Sequence, residues 1–399
     1  MEFRPIRPDE VPVWRQFQEY CFHTEPADFD PWMASKFQIE HTRSLFTDGG
    51  QMAAACANYP WQLHFEGARL GMGAIASVAS LPENRRGGHV GRMMQHLIIE
   101  MKERGIPLSA LYPFHQGFYR RYGWDVACTW IDHEIPVELL GHLRKYSGVI
   151  DRHLPGQADW REIAPVYQRW AASRRGYVAR ETEHHWRTAV YATLPGRNWH
   201  TAVYRPAAGA APEGYLLYRF ANDAPRKLQV RELVALNPAA DRALWGFIAN
   251  HDSQVKFVKL RQARTWPLWH LVDHTYDVKS TMESGWMLRL IDLKAAIEAR
   301  PWPGAPNGSL VIGVTDEQAP WNAGTWRLEF ENGRAAVNLA PAETPSLSAS
   351  VQTWAQWYAG FVRPDQAVAT GRLSGTDARS LALLAGATAG EEMFFFEFF

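Results

Sequence analysis

The chain has 399 residues, more than one ordinary domain, and at about 100–200 residues per domain two or three compact units are expected. Lysine plus arginine balances aspartate plus glutamate at 42 each, which argues against the basic footprint of a nucleic-acid binder. The three cysteines, Cys21, Cys56 and Cys128, are odd in number and outside any CxxC spacing, so neither a disulfide scaffold nor a metal site is implied.

The first predicted elements are a helix over Glu10–Phe22, a loop whose Glu25, Asp28 and Asp30 could attract a cationic amine, and strands at Gln51–Tyr59 and Trp61–Phe65. The stretch from Val78 to Arg92 then joins a small-residue strand to a turn rich in glycine and arginine that opens a helix. Unpaired N–H groups at a helix start, the helix dipole and close approach at glycine together suit a pyrophosphate, with Arg85, Arg86 and Arg92 as countercharge. Val90, Met93, Met94, Leu97, Ile98 and Met101 fall on one helical face, and Gly105 and Pro107 end the run before a strand at Leu108–Tyr112.

Neither GxxxxGK[ST] nor GxGxxG with a later acidic residue is present, so a nucleoside-triphosphate or dinucleotide loop does not fit. The pattern is Arg85-x-x-Gly88-x-Val90. It resembles the acetyl-CoA pyrophosphate loop of the GNAT acetyltransferase superfamily, with Val90 where that superfamily usually has glycine or alanine.

An aromatic segment follows, His115-Gln116-Gly117-Phe118-Tyr119-Arg120-Arg121-Tyr122-Gly123-Trp124. Acetyl transfer to an amine needs a base for the amine's proton and an acid for the leaving thiolate, and a phenol stays protonated at neutral pH. Tyr119 is a candidate acid, with Tyr112 and Tyr122 as competitors.

Glycine, proline and charge break the pattern at Gly148–Gly156, and a helix is expected at Trp160–Ala172. Strands Tyr215–Phe220 and Leu228–Leu236, a connection through Asn237, helix Asp241–Asn250 and strand Val255–Leu260 then repeat the order of the first unit without its glycines and arginines. A structural partner with no cofactor of its own is the expectation. The last third reads as strand Trp286–Ile291, helix Asp292–Arg300, a proline-rich connector, strands Leu310–Val314, Trp326–Phe330 and Ala335–Leu339 with an Asn332-Gly333 hairpin, and helices Val351–Phe361 and Ala378–Leu384. Trp321, Trp326, Trp354 and Trp357 suit either an apolar groove or core packing. The aromatic tail from Met393 to Phe399 could be a core strand.

The Gly-Phe-Tyr119-Arg-Arg-Tyr-Gly-Trp segment, the Arg-Arg-x-Gly turn and the Phe-Glu-Phe of the tail together resemble the enhanced intracellular survival (Eis) family of GNAT N-acetyltransferases, across essentially the whole chain. One further phenylalanine follows Phe-Glu-Phe here. The resemblance implies an α/β fold of two GNAT-like mixed-sheet domains and a sterol-carrier-protein-like α+β domain, divided at 1–150, 151–284 and 285–399. It implies acetyl-CoA as cosubstrate, a homohexamer, Tyr119 as general acid and the terminal carboxylate of Phe399 as general base. Val78, Ala79 and Ser80 would offer strand backbone to pantetheine. Arg85, Arg86, Gly87, Gly88, His89, Val90 and Gly91 would hold the pyrophosphate, and Phe114 and His115 would flank the acetyl group.

A terminal carboxylate is ordinarily a weak base, and desolvation among Phe394, Phe395, Phe396 and Phe398 would strengthen it. The expected activity is direct transfer of acetyl to primary amines of aminoglycoside, polyamine-like or lysine type in a ternary complex. The alternative is a non-catalytic regulator that senses CoA or carries an apolar ligand. With no leader pattern and no run of about 18 apolar residues, a cytoplasmic protein with neither membrane nor nucleic acid as partner is expected.

Overall fold

The computed structural model describes residues 1–155, 157–189, 199–221 and 224–399, the side chains at 28, 31, 32, 34, 35 and 187–189 excepted. Gly156, the end of the expected break, lies outside them. Among the described residues the strands form three sheets of eight, seven and five members.

The first sheet runs in the order Glu2–Arg4, Thr42–Phe46, Met52–Phe65, Ala68–Ala79, Leu108–Leu111, Met287–Leu290 and Asp125–Val126, and Arg175–Val178 also pairs with Met52–Phe65. Sequence reading splits Met52–Phe65 at Pro60, yet the strand is continuous. Its pairing with Thr42–Phe46 ends at Ala57 and that with Arg175–Val178 involves Leu63 and Phe65, so Pro60 falls where that edge has no ladder to interrupt. The helix His89–Glu103 buries Met93, Met94, Leu97, Ile98 and Met101, which join the sheet's Leu45, Ile75 and Leu111 in one core.

The second sheet runs Lys279–Ser284, Thr129–Pro136, Phe257–Ala263, Lys227–Ala235, Gly214–Ala221, His200–Arg205 and Val149–His153. Strand Lys227–Ala235, helix Pro238–Ala249 and the parallel strand Phe257–Ala263 repeat the topology of Ala68–Ala79, His89–Glu103 and Leu108–Leu111. Here the Asn237 side chain accepts from the Ala240 N–H at 2.9 Å, so this helix start is closed by a side-chain cap where the first copy has glycine. The sheets do not divide the sequence linearly. Thr129–Pro136, ahead of residue 150, is an inner strand of the second sheet, and Met287–Leu290, beyond residue 284, is an inner strand of the first.

The third sheet, Arg334–Leu339, Gly324–Glu331, Gly308–Thr315, Leu347–Ser350 and Leu373–Ser374, turns at Asn332 and Gly333 with φ of 50° and 71°, as the Asn-Gly pair predicts. Trp326, Trp354 and Trp357 are buried there, their indole N–H groups donating to Asn322, Gly313 and Leu384 carbonyls, and Trp321 donates to Ile291. These are core rings.

The domains meet through buried charge. Arg289, on the strand shared with the first sheet, donates to both oxygens of Asp316 at 2.9 Å, and both residues are enclosed. A Cβ at Gly123 would lie 1.3 Å from Arg289 Nη1, and Gly123 has φ of 92°. The glycine of the Tyr-Gly-Trp segment is therefore the space through which this arginine passes. The tail pairs in no sheet. Met393, Phe394 and Phe395 are nevertheless buried, with Met393 N–H on the Ala359 carbonyl, Phe394 N–H on the Arg175 carbonyl and Phe395 stacked 4.7 Å from Trp286.

Candidate active site

Parallel pairing between Ala68–Ala79 and Leu108–Leu111 runs from Met72 opposite Leu108 to Ile75 opposite Leu111, and stops there. Ala68–Ala79 continues for another turn of the pleat. Ser77 has φ of 54° and sits at a register shift, with Ala57 opposite Ala76 but Ala55 opposite Ala79. Such a bulge bends its strand, and the Gln18 side chain pins it by donating to the Ser77 carbonyl at 3.2 Å. The edge from Ala76 to Ala79 is left without a neighbouring strand on that side, and it faces a cavity of about 1340 Å³.

The phosphate-type turn forms the cavity's second wall. Arg86 and Gly88 have φ of 65° and 76°, and Gly88 is the N-cap of His89–Glu103 with no side chain closing the first turn. The leading N–H groups of that helix are therefore left for an outside acceptor. A Cβ on Gly91 would lie 2.2 Å from Tyr122 Oη, so this glycine lets the Tyr122 ring sit against the helix. Gly87 has a similar part, leaving room for the His89 imidazole, which a Cβ would meet at 2.7 Å.

The third wall is aromatic. The short helix Gln116–Arg120 buries Tyr119 at 2% exposure, with Phe114 5.4 Å away and Phe118 5.1 Å away, both edge-on. Burial pushes the Tyr119 phenol above its ordinary pKa. Its hydroxyl has no hydrogen-bond partner among the described residues. The hydroxyl of Tyr112 is already committed to the Glu397 carbonyl at 2.7 Å, which sets Tyr112 apart from Tyr119 as a proton donor.

The tail closes the cavity with Phe398 and Phe399. Lys36 Nζ donates to the Phe398 carbonyl at 2.7 Å, and the Phe399 ring meets Trp61 edge-on at 4.9 Å and Tyr112 at 5.2 Å. Of the sequence-derived set, Val78, Ala79, Ser80, Arg85, Arg86, Gly88, His89, Val90, Gly91, Phe114, Tyr119 and Phe399 line this one cavity. Gly87 and His115 do not. The His115 ring, on an exposed residue, folds back on the start of the short helix, its Nδ1 accepting the Phe118 N–H at 3.2 Å as an N-cap. Arg92 is also directed elsewhere, donating to Met1 Sδ.

The acidic loop expected after the first helix is instead the helix Pro26–Lys36, preceded by Glu25, and Asp30 pairs with Arg15. The side chain of Asp28 lies outside the described residues. Among the described residues no group of three or more His, Cys, Asp or Glu could hold a metal, and no helix is long and apolar enough to cross a membrane.

Residues 2–127 and 176–290 each match an acetyltransferase (GNAT) domain family, and residues 293–395 match a sterol carrier protein domain family. The chain is 26% identical over 333 residues to the N-acetyltransferase Eis of Mycobacterium tuberculosis strain ATCC 25177 / H37Ra, covering 79% of this chain and 78% of that one. It is a GNAT-type N-acetyltransferase with two GNAT domains and a sterol carrier protein domain, and it is similar to the Eis N-acetyltransferases. An uncharacterized N-acetyltransferase of Streptomyces griseus is 28% identical over 363 residues, 84% of each chain. In fold, the chain is similar over the whole length of both partners to a GCN5-related N-acetyltransferase from Anabaena variabilis ATCC 29413 (TM-score 0.88, 24% identity) and to Eis1 from Mycobacterium abscessus (TM-score 0.84, 21% identity).

Sequence reading missed part of the cavity of this Eis-like chain. Gln18, Cys21 and Phe22 reach it from the helix Val11–Phe22, Phe29 and Lys36 from the next helix, and Arg121 from beside Tyr119. Arg121 was findable, because it follows Arg120 in the aromatic segment. The others had no local signal. Among the described lining residues Lys36, Arg85, Arg86 and Arg121 are all cationic, and no carboxylate side chain joins them.

Proposed function

We propose that this chain transfers acetyl from acetyl-CoA directly to a primary amine, with Tyr119 as general acid and the Phe399 carboxylate as general base. The observation that carries the reading is that Tyr119, Phe399, the unpaired strand edge at Ala76–Ala79 and the Arg85–Gly91 turn line one cavity. The residues fit the cosubstrate: an open strand edge can hydrogen-bond a pantetheine arm, and the uncapped helix start with Arg85 and Arg86 suits a pyrophosphate. When bound, the thioester supplies the acetyl group, a C–N bond to the amine forming as the C–S bond breaks.

The chain's own groups handle the protons. Tyr119, held neutral by burial, donates a hydrogen bond toward the sulfur position and gives up its proton as negative charge develops there. Phe399 receives the proton of the attacking amine. Aromatic rings disfavour a carboxylate's charged form and so make it a better proton acceptor, while the Lys36 ammonium on the preceding carbonyl works in the opposite direction. The acceptor amine belongs to an aminoglycoside, a polyamine-like molecule or a lysine, and the homohexamer in the cytoplasm is part of the same proposal. Both rest on the family resemblance. The test is acetyl-CoA turnover against a panel of these amines, with Tyr119→Phe as the matched control; absence of turnover with every amine would overturn the reading.

A further inference from the structure

We propose that Arg180 is a positioning residue for the Phe399 carboxylate, acting through Glu397. The proposal rests on the reading of Phe399 as base. Arg180 follows the strand Arg175–Val178, is 2% exposed, and forks between two carboxylates. Its Nε donates to Glu397 Oε1 at 2.7 Å, and Nη1 and Nη2 donate to the two oxygens of Glu232 at 2.9 and 2.7 Å. Glu232, on the central strand Lys227–Ala235, also accepts from Tyr215 Oη at 2.5 Å.

The arginine itself has little freedom. Gln168 Nε2 and Trp186 Nε1 donate to its carbonyl at 2.9 and 3.1 Å, and its guanidinium lies 3.9 Å over the Tyr167 ring. Arg180 is thus a fixed point anchored in the second domain, and Glu397 is the tail's handle on it.

The tail needs such a handle. Chain ends fray unless tied down, and the segment after Gly390 pairs in no sheet. Glu397 is held twice, by Arg180 through its side chain and by Tyr112 through its carbonyl. Only two residues follow, which can sweep up to about 7 Å if that anchor is lost. A carboxylate displaced by a fraction of that distance is out of reach of an amine's proton.

Glu397 is itself ill placed for the chemistry. It is 1% exposed and does not line the large cavity, whereas Phe398 and Phe399 do. A buried ion pair adds little to stability over a well-packed apolar pair, and fixing one conformation is the use that remains.

The test is the pair Glu397→Leu and Glu397→Gln in the full chain. Neither orphans Arg180, which keeps Glu232. We expect Glu397→Leu to lower kcat by about 10²-fold with KM for acetyl-CoA within about twofold, and to move the acidic limb of the pH–kcat profile as the carboxylate changes surroundings. Glu397→Gln keeps an oxygen acceptor and should stay within about fivefold of the parent.

A folded Glu397→Leu with parental kcat would overturn the proposal, and so would a Glu397→Gln as damaged as Glu397→Leu, since that would give Glu397's charge a chemical role. If Glu397→Leu fails to fold, Arg180→Lys decides. It keeps the charge but cannot grip two carboxylates, so lost kcat at unchanged KM supports the proposal and parental kcat overturns it. A Gly-Ser extension after Phe399 separates the two readings. Full activity of the extended chain defeats the Phe399 base itself, whereas an inactive extended chain beside a fully active Glu397→Leu defeats only the positioning role.

Discussion

The Tyr112 hydroxyl donates a 2.7 Å hydrogen bond to the carbonyl oxygen of Glu397, joining the residue after the strand Leu108–Leu111 to the tail across 285 positions of sequence. The same phenol is therefore not available to protonate a thiolate. Tyr119→Phe should lower turnover by about 10²–10⁴-fold with cofactor affinity nearly unchanged, and Tyr112→Phe by less than about tenfold, because it removes one tether and no proton donor. Steady-state kinetics with calorimetric CoA affinity checks the order, and the reverse order would reassign the acid.

The turn makes a separate prediction about binding. Arg86→Glu combined with Gly88→Leu replaces a countercharge by repulsion and puts a side chain at φ of 76°, so acetyl-CoA affinity should fall by at least about 10²-fold in a folded protein. Gly91→Ala acts differently, since its Cβ must push Tyr122 Oη from 2.2 Å, and a smaller affinity loss is expected. Unchanged calorimetric affinity in the double variant would contradict the assignment of this wall.

Stability should depend on the Arg289–Asp316 pair. Asp316→Ala strands an enclosed guanidinium and also removes the acceptor for the Gln318 and Ala319 N–H groups, and about 3–5 kcal/mol of destabilisation is expected. Urea unfolding checks it. A change below about 1 kcal/mol would mean that water reaches Arg289.

Acid should loosen the fold before carboxylates titrate. Burial lowers the pKa of His64, His133 and His251, so the unfolded chain binds more protons than the folded one once pH drops below the free value of about 6.5. Their contribution is fully present above that pH and is lost as pH falls through the lowered folded values. The thermal midpoint should decline from pH 7 to pH 5, and His64→Gln, which replaces the partner of Gln168 by a neutral amide, should flatten the decline.

What the sequence revealed was local. The Arg85–Gly91 turn, the helical stripe from Met93 to Met101 and the Asn332-Gly333 hairpin each have their cause within a few residues, so pattern and turn chemistry were enough. Gly123 was visible only as part of a family segment, because its cause, Arg289, lies 166 positions away. The continuous strand through Pro60 depended on which neighbours stop at Ala57 and which begin at Leu63, a matter of tertiary pairing. Arg180 gave no signal at all. An arginine in a sequence looks solvated until two carboxylates from distant strands and tail converge on it.

The central claim, that Phe399 supplies the base, is tested most directly by adding a short Gly-Ser extension after it and measuring kcat for acetyl transfer to an amine. Each added residue spans up to about 3.5 Å, so the carboxylate leaves the cavity while the domains, held elsewhere, keep their stability. A base at Phe399 predicts a folded protein with parental acetyl-CoA affinity and kcat reduced by at least about 10²-fold. Parental kcat in the extended chain would contradict it.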